Sequence, residues 1–352
     1  MAYTTIDNPE LYFQTKLYTG NGSSRSITLD GSENMQPDWT WIKIRSQSYS
    51  NRIFDSVRGT GKFTYSDTNE AEGTNSATLS AFNTNGFSLG DDNSVNQNTD
   101  TYVSWNWKTG TSFSNDASAT SVGSIDSSGS INTTAGQSII SWTGSGSGAT
   151  IAHGLGIQPQ IVFVKNRDDT ASWNVYTVDG GGGKGLFLNE NNGYDSDSSY
   201  FNGGTASTTT FPVGTANTAN GSSDDMIAYC FGNVQGYSKI GAYTVTANSN
   251  RPFIFTGFKP AWLMIKKTNS GGSVNWYIFD NNRSPINAVD DFLKADTNDA
   301  EGGDGNAYID FLSNGFKLKT GNIGTEASGT FVYMAFAESP FVNSNGIPNN
   351  AR

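Results

Sequence analysis

Apolar and polar positions along this 352-residue chain recur at period two in its bulky segments. In Phe331-Val-Tyr-Met-Ala-Phe336, side chains at 331, 333 and 335 point one way and those at 332, 334 and 336 the other. Both faces are apolar, which predicts strands in the middle of sheets. No stretch carries the spacing of a long amphipathic helix. Glycine (41 residues) joins Ser, Thr, Asn and Asp between the apolar runs, the composition of many turns linking many strands.

The pattern is itself repeated. Pro37-Asp-Trp-Thr-Trp-Ile-Lys43-Ile-Arg45, Pro159-Gln-Ile-Val-Phe-Val-Lys165-Asn-Arg167 and Pro260-Ala-Trp-Leu-Met-Ile-Lys266-Lys-Thr268 are three copies of one segment. Each is followed by a second bulky strand: Thr101-Tyr-Val-Ser-Trp-Asn-Trp107, Asp225-Met-Ile-Ala-Tyr-Cys-Phe231 and Thr330-Phe-Val-Tyr-Met-Ala-Phe336. Phe87, Phe211 and Phe316 precede the ends of these strands by the same 20 positions. Units of about 100 residues suit one buried core each, so the expected fold is all-β, with three tandem β-sandwich domains of jelly-roll or lectin-like kind. Sequence does not separate a sandwich from a barrel.

The expected boundaries are a docking arm at 1–15, repeat 1 at 16–108, a Ser/Thr/Gly-rich connector at 109–135, repeat 2 at 136–235, repeat 3 at 236–345 and a tail at 346–352. Tyr3, Ile6, Leu11, Tyr12 and Phe13 make the arm too apolar for a free tail, so it is expected to dock. The connector reads as a linker or a pair of weak strands, leaving repeat 1 freer than the closely joined repeats 2 and 3. Asn85-Gly86 and Asn314-Gly315 read as tight hairpin turns in which both residues tolerate positive φ.

Eight tryptophans suggest sugar-stacking platforms, but the repeats argue otherwise. Trp39, Ile161 and Trp262 share one column, Trp41, Phe163 and Met264 a second, and Trp105, Tyr229 and Met334 a third. A platform needs a ring, whereas a core position needs only apolar volume, so these columns read as core. Tyr194, Tyr200 and Phe201 have no repeat counterpart and lie in the polar segment 189–204, where rings on a long loop form a candidate contact surface for a ligand or partner. Packing of that loop on its own domain or on a neighbouring subunit is the alternative.

Asp67, Glu70 and Glu72, matched by Asp296, Asp299, Glu301 and Asp304, offer hard oxygen ligands, but Glu301 stands where a helix-loop-helix calcium site needs glycine. They read as a solvated loop or the acidic first turn of a short helix. The Asp55/Arg58 and Asp280/Arg283 pairs read as clamps on turns. His153 is the one histidine, without a patterned nucleophile or carboxylate beside it, and Cys230 occupies a small-residue column. Gly183-Lys184-Gly185 lacks the glycine and Ser/Thr of a phosphate loop. No catalytic, cofactor-binding or metal-ligating residue is assigned and the chain is not read as an enzyme; a two-carboxylate glycosidase ranks behind the binding readings.

The net charge of −11 disfavours nucleic acid and anionic membranes as partners. The first residues lack a signal peptide's basic and apolar regions, and one cysteine makes no internal disulfide.

Tyr3-Thr-Thr-Ile-Asp-Asn-Pro, Tyr12-Phe-Gln-Thr-Lys-Leu-Tyr-Thr-Gly-Asn-Gly22, Pro37-Asp-Trp-Thr-Trp-Ile-Lys43, Ile309-Asp-Phe-Leu-Ser-Asn-Gly-Phe-Lys-Leu318 and Tyr333-Met-Ala-Phe-Ala-Glu-Ser-Pro-Phe341 together resemble a family of virion structural proteins of tailed phages, especially those infecting marine bacteria. The resemblance covers nearly the whole chain and carries no defined biochemical activity. It implies a protein made in bacterial cytoplasm and assembled into the virion, as a tail fibre or other surface appendage involved in host adsorption. The arm would then dock on other virion proteins of tail or capsid, polar loops would face host surface glycan, and the chain would form a homo-oligomer, a trimer for a fibre. A capsid decoration protein binding only capsid is the alternative.

Overall fold

The structure is a computed structural model, and it describes residues 3–246, 251–269, 274–303, 308–319, 324 and 328–348. These form an all-β protein of several antiparallel sheets, with helices of only three or four residues. Repeat 1 places Thr101–Trp107 between Phe13–Thr19 and Trp39–Ile44, and the latter pairs with Arg52–Asp55. Repeat 2 has Asp225–Gly232 between Gln137–Thr143 and Pro159–Asn166, which pairs with Asn174–Thr177. Repeat 3 has Gly329–Pro340 between Ser238–Val245 and Phe258–Lys267, which pairs with Tyr277–Asp280. One strand order thus occurs three times, and the doubly apolar strands are central, as their alternation predicts.

Each main sheet has a small companion sheet. Arg25–Ile27, Gly86–Leu89 and Leu79–Asn83 form the first, Ala149–Ala152 and Thr210–Val213 the second, and Phe253–Phe255, Gly315–Leu318 and Ile309–Leu312 the third. The two faces of each central strand serve different cores. Phe331, Tyr333 and Ala335 pack in a core local to repeat 3, and Val332, Met334 and Phe336 in a core shared with the other repeats. Met226, Ala228 and Cys230 are local to repeat 2, while Ile227, Tyr229 and Phe231 join the shared core.

The shared core contains the sequence columns read as core: Trp39, Ile161 and Trp262; Trp41, Phe163 and Met264; Trp105, Tyr229 and Met334. All eight tryptophans are at most 4 % exposed. At its centre Trp107, Phe231 and Phe336, the equivalent ends of the three central strands, meet pairwise with ring centroids 5.5–6.3 Å apart and edge-to-face. That geometry adds favourable quadrupole contact to the apolar area buried. The indole N–H groups of Trp39, Trp107 and Trp262 end in this core without an acceptor, so aromatic volume rather than polar pairing holds it.

Two expectations are corrected and a third is decided between its alternatives. The hairpins at 83–86 and 312–315 form, but their two-residue loops are Thr84-Asn85 and Ser313-Asn314, and of the two glycines only Gly86 has positive φ, at +101°. Glycine is required by a close neighbour: a Cβ at Gly86 would lie 2.0 Å from the Ile27 carbonyl oxygen, and one at Gly315 2.1 Å from that of Ile254. Of the two readings of the connector, the pair of strands is the one found, because Thr111–Asn115 and Ser127–Asn132 extend the main sheet of repeat 2 to seven strands. Repeat 1 is not freer than the others, since its tryptophans lie in the shared core and Gln137 donates to the Lys108 carbonyl at 2.6 Å. Of the tail, residues 349–352 lie outside the described residues.

Candidate functional site

The repeats meet at three seams that use equivalent residues in a closed cycle, 1 to 3, 3 to 2 and 2 to 1. Lys43, Lys165 and Lys266, the lysines of the nine-residue pattern, are fully buried at the ends of their strands. Lys43 Nζ donates to the Asn298 carbonyl of repeat 3, Lys266 Nζ to the Glu190 carbonyl of repeat 2, and Lys165 Nζ to the Asn69 carbonyl of repeat 1, at 3.2–3.3 Å. Burial lowers the pKa of each ammonium from its ordinary value to about 8.

A main-chain bond repeats in the same cycle: Glu301 N to Arg45 O, Tyr194 N to Thr268 O and Glu72 N to Arg167 O, each 2.8 Å. So does a bond from the residue before the fourth main strand. Asn51 Nδ2 donates to the Lys294 carbonyl, Trp276 Nε1 to that of Phe187 and Trp173 Nε1 to that of Tyr65, at 3.3, 2.9 and 2.6 Å. A buried side-chain N–H needs an acceptor, and the neighbouring repeat supplies it.

Two seams are closed by ions. Arg45 holds Glu301 through both oxygens at 2.9 and 2.6 Å, and Arg167 holds Glu72 likewise at 2.8 and 3.1 Å. The turn pairs read as clamps are present and reach further than a turn. Arg58 Nε bonds Asp55 Oδ2 at 2.5 Å and Arg58 also reaches Glu72; Arg283 Nε bonds Asp280 Oδ2 at 2.6 Å and also reaches Glu301. Each aspartate then accepts a donor from another repeat, Tyr229 Oη on Asp55 at 2.7 Å and Trp105 Nε1 on Asp280 at 2.9 Å. Although burial pushes the Glu72 carboxyl up, the guanidinium groups of Arg167 and Arg58 hold it below its ordinary value.

The acidic segments are therefore not plain solvated loops: Glu72 and Glu301 are ion-paired, and Asp67 and Asp296 accept the backbone N–H of Asn51 and Trp276. Among the described residues no cluster of three metal-ligating side chains forms, and Asp304 lies outside them.

The third seam, between repeats 2 and 3, keeps the backbone bond and the buried Lys266 but loses the four ion-pairing positions. Thr268 replaces the arginine, Tyr194 the glutamate, Thr177 the aspartate and Gly180 the turn arginine. Tyr194 takes their space. Its hydroxyl meets Thr177 Oγ1 at 2.5 Å, and a Cβ on Gly180 would lie 2.7 Å from its ring. Burial pushes its hydroxyl up to about 12. A tyrosine fills less of the seam than two guanidinium groups, and a cleft of about 430 Å³ remains, lined by Asp179, Lys184, Tyr194, Ser196, Thr268 and Asn269 among others.

The rings singled out in sequence are thus dispersed. Phe201 is fully buried in the core of repeat 2, which removes it as an exposed contact. Tyr200 is half-buried with its hydroxyl on Asp195 at 2.7 Å, and Tyr194 alone reaches the cleft.

The arm docks within its own chain. Ile6 and Phe13 are buried in the shared core, where Phe13 stacks on Phe336 at 5.4 Å, and Tyr12 packs edge-on against Tyr237. Tyr3 donates to the Gly257 carbonyl at 2.9 Å and meets Phe341 edge-on, while Leu11 stays exposed. Of the five arm residues expected to contact another virion protein, four are therefore committed internally.

His153 is fully buried. Its Nδ1 accepts the Leu155 N–H at 3.2 Å, so Nε2 carries the proton toward the Ser207 carbonyl at 3.3 Å. Burial pushes its pKa down to about 4. Cys230 is buried among apolar side chains, which raises its thiol to about 12. These are the properties of core groups.

The sequence alone gives the seam lysines no role, although the repeated pattern displays all three. Thr268, standing where the other copies have arginine and facing the diverged segment 189–204, marks the seam that differs. No helix among the described residues is long and apolar enough to cross a membrane. No curated protein matches the chain. The profile of a family described as "Domain of unknown function (DUF7483)" matches residues 8–340, through all three repeats, and the chain belongs to that family.

Proposed function

We propose that the chain is a structural protein of a tailed-phage virion, a tail fibre component or other surface appendage involved in host adsorption, built as three tandem two-sheet sandwiches closed into one block. The observation that carries the reading is the meeting of Trp107, Phe231 and Phe336 at one point. A common core with cyclic seams makes a rigid three-lobed body, which suits a load-bearing module that presents loops outward. The phage-like segments of the sequence supply the virion placement, with assembly from bacterial cytoplasm onto other virion proteins and with host glycan as the outward partner. The same reading expects a homo-oligomer, a trimer for a fibre, while the meeting of three equivalent strand ends gives each chain a pseudo-threefold centre of its own.

That last property also favours the second reading, capsid decoration, because a three-lobed block matches a threefold point of a capsid lattice. Cryo-electron microscopy of the particle tests both. Density for the chain on the tail supports adsorption, density on the shell alone supports decoration, and its absence from purified virions overturns the proposal.

A further inference from the structure

Two of the three seams are sealed by Arg45 with Glu301 and by Arg167 with Glu72, each reinforced by a buried Asp-Arg turn. At the third seam all four ionic positions are lost together while the backbone bond from Tyr194 to Thr268 persists. Drift at one position would leave a buried charge unpaired, at a cost of several kcal/mol. Joint replacement instead leaves a seam without those ion pairs and with an opening in it. Its volume of about 430 Å³ falls within the range of small-ligand sites, about 300–1,000 Å³.

The walls have a defined chemistry. Tyr194 is fixed by Thr177, and the Lys184 ammonium lies over its ring at 5.8 Å. Lys184 and Asp179 are exposed, and Thr268, Ser196 and Asn269 add hydroxyl and amide groups. An ammonium donates hydrogen bonds and a carboxylate accepts them, so together they match a diol, in which each oxygen does both. The protein's charge of −11 opposes polyanions. We infer that the cleft between repeats 2 and 3 is a binding site for a neutral, hydroxyl-rich saccharide, held by Lys184 and Asp179 beside Tyr194. The inference rests on the adsorption reading and gives it a ligand class.

The test displays the full chain to an array of glucose-, galactose- and mannose-containing oligosaccharides beside uronic- and sialic-acid glycans, with titration calorimetry on any hit. The expected result is binding of a neutral saccharide, weakened at least tenfold by Lys184→Ala, by Asp179→Asn and by the double change Thr268→Arg with Tyr194→Glu. The double variant rebuilds the ion pair of the other seams and closes the cleft; should it fail to fold, the two single variants carry the test. No binding at millimolar sugar, binding of acidic glycans alone, or binding unchanged in the variants overturns the inference. Undiminished adsorption of the closed-cleft protein to host cells would overturn the cleft while leaving the adsorption reading intact. A chain missing from virions that still binds the sugar through Lys184 would do the reverse.

Discussion

Arg167 grips Glu72 through both carboxylate oxygens across the seam between repeats 2 and 1, and the main chains of the same two residues are joined at 2.8 Å. Both side chains are 11 % exposed, so solvent screens the pair only in part. Arg167→Ala and Glu72→Ala are each expected to destabilise the protein by about 2–3 kcal/mol, with a coupling energy of about 1–3 kcal/mol in a double-mutant cycle read by urea unfolding. Additive single effects would show that the pair is a bystander.

The core shared by all three repeats makes unfolding cooperative. Calorimetry should give one transition whose van't Hoff and calorimetric enthalpies agree. Trp107→Ala should lower stability by about 3–5 kcal/mol while keeping that single transition. Separate melting of residues 16–108 would contradict the shared core.

His153 is neutral in the fold down to about pH 4, whereas an unfolded histidine takes up its proton near 6.5. The unfolded state thus holds more protons between these values, so stability falls on acidification from pH 6.5 toward 4, by up to about 3 kcal/mol from this residue. Relative to His153→Gln, the wild type should lose stability through that window, followed by chemical denaturation at stepped pH. Parallel curves would remove His153 as the cause.

The seam lysines act at the other end of the scale. Their folded pKa of about 8 lies below the ordinary 10.5, so between these values the unfolded state holds the proton and stability rises with pH. Above pH 10 the buried tyrosines Tyr18, Tyr229 and Tyr237 reverse the trend, because burial disfavours their ionised form. Lys43→Met should lose about 1–3 kcal/mol at pH 7 through carbonyls left without a donor, and should flatten the rise from pH 8 to 10. A variant with the same slope as wild type would place the titration elsewhere.

Much of this fold is legible in the sequence, because repetition supplies internal comparison. Interchange of Trp39 with Ile161, and of Trp105 with Tyr229 and Met334, identifies core positions without any structure. Alternation in 331–336 separates the two faces correctly, yet nothing local tells that one face meets the other repeats, since an apolar face reads the same whichever partner covers it. The arm was legible as apolar and not as internal, for the same reason. The cleft was half visible: the divergence of 189–204 marked the place, but Phe201 and Tyr194 look alike on a string of letters, and only packing separates the buried ring from the one at the opening.

Phe13, near the beginning of the chain, rests on Phe336, near its end. A ribosome adding about 5–20 residues per second needs on the order of ten to fifty seconds to travel from Trp107 to Phe336. During that interval the indole-bearing side of the first sheet has been made and its covering is incomplete, since Tyr229 and Phe231 emerge midway and Phe336 last. Chains ending before residue 336 would keep part of that surface uncovered and are expected to be captured by chaperones and proteases.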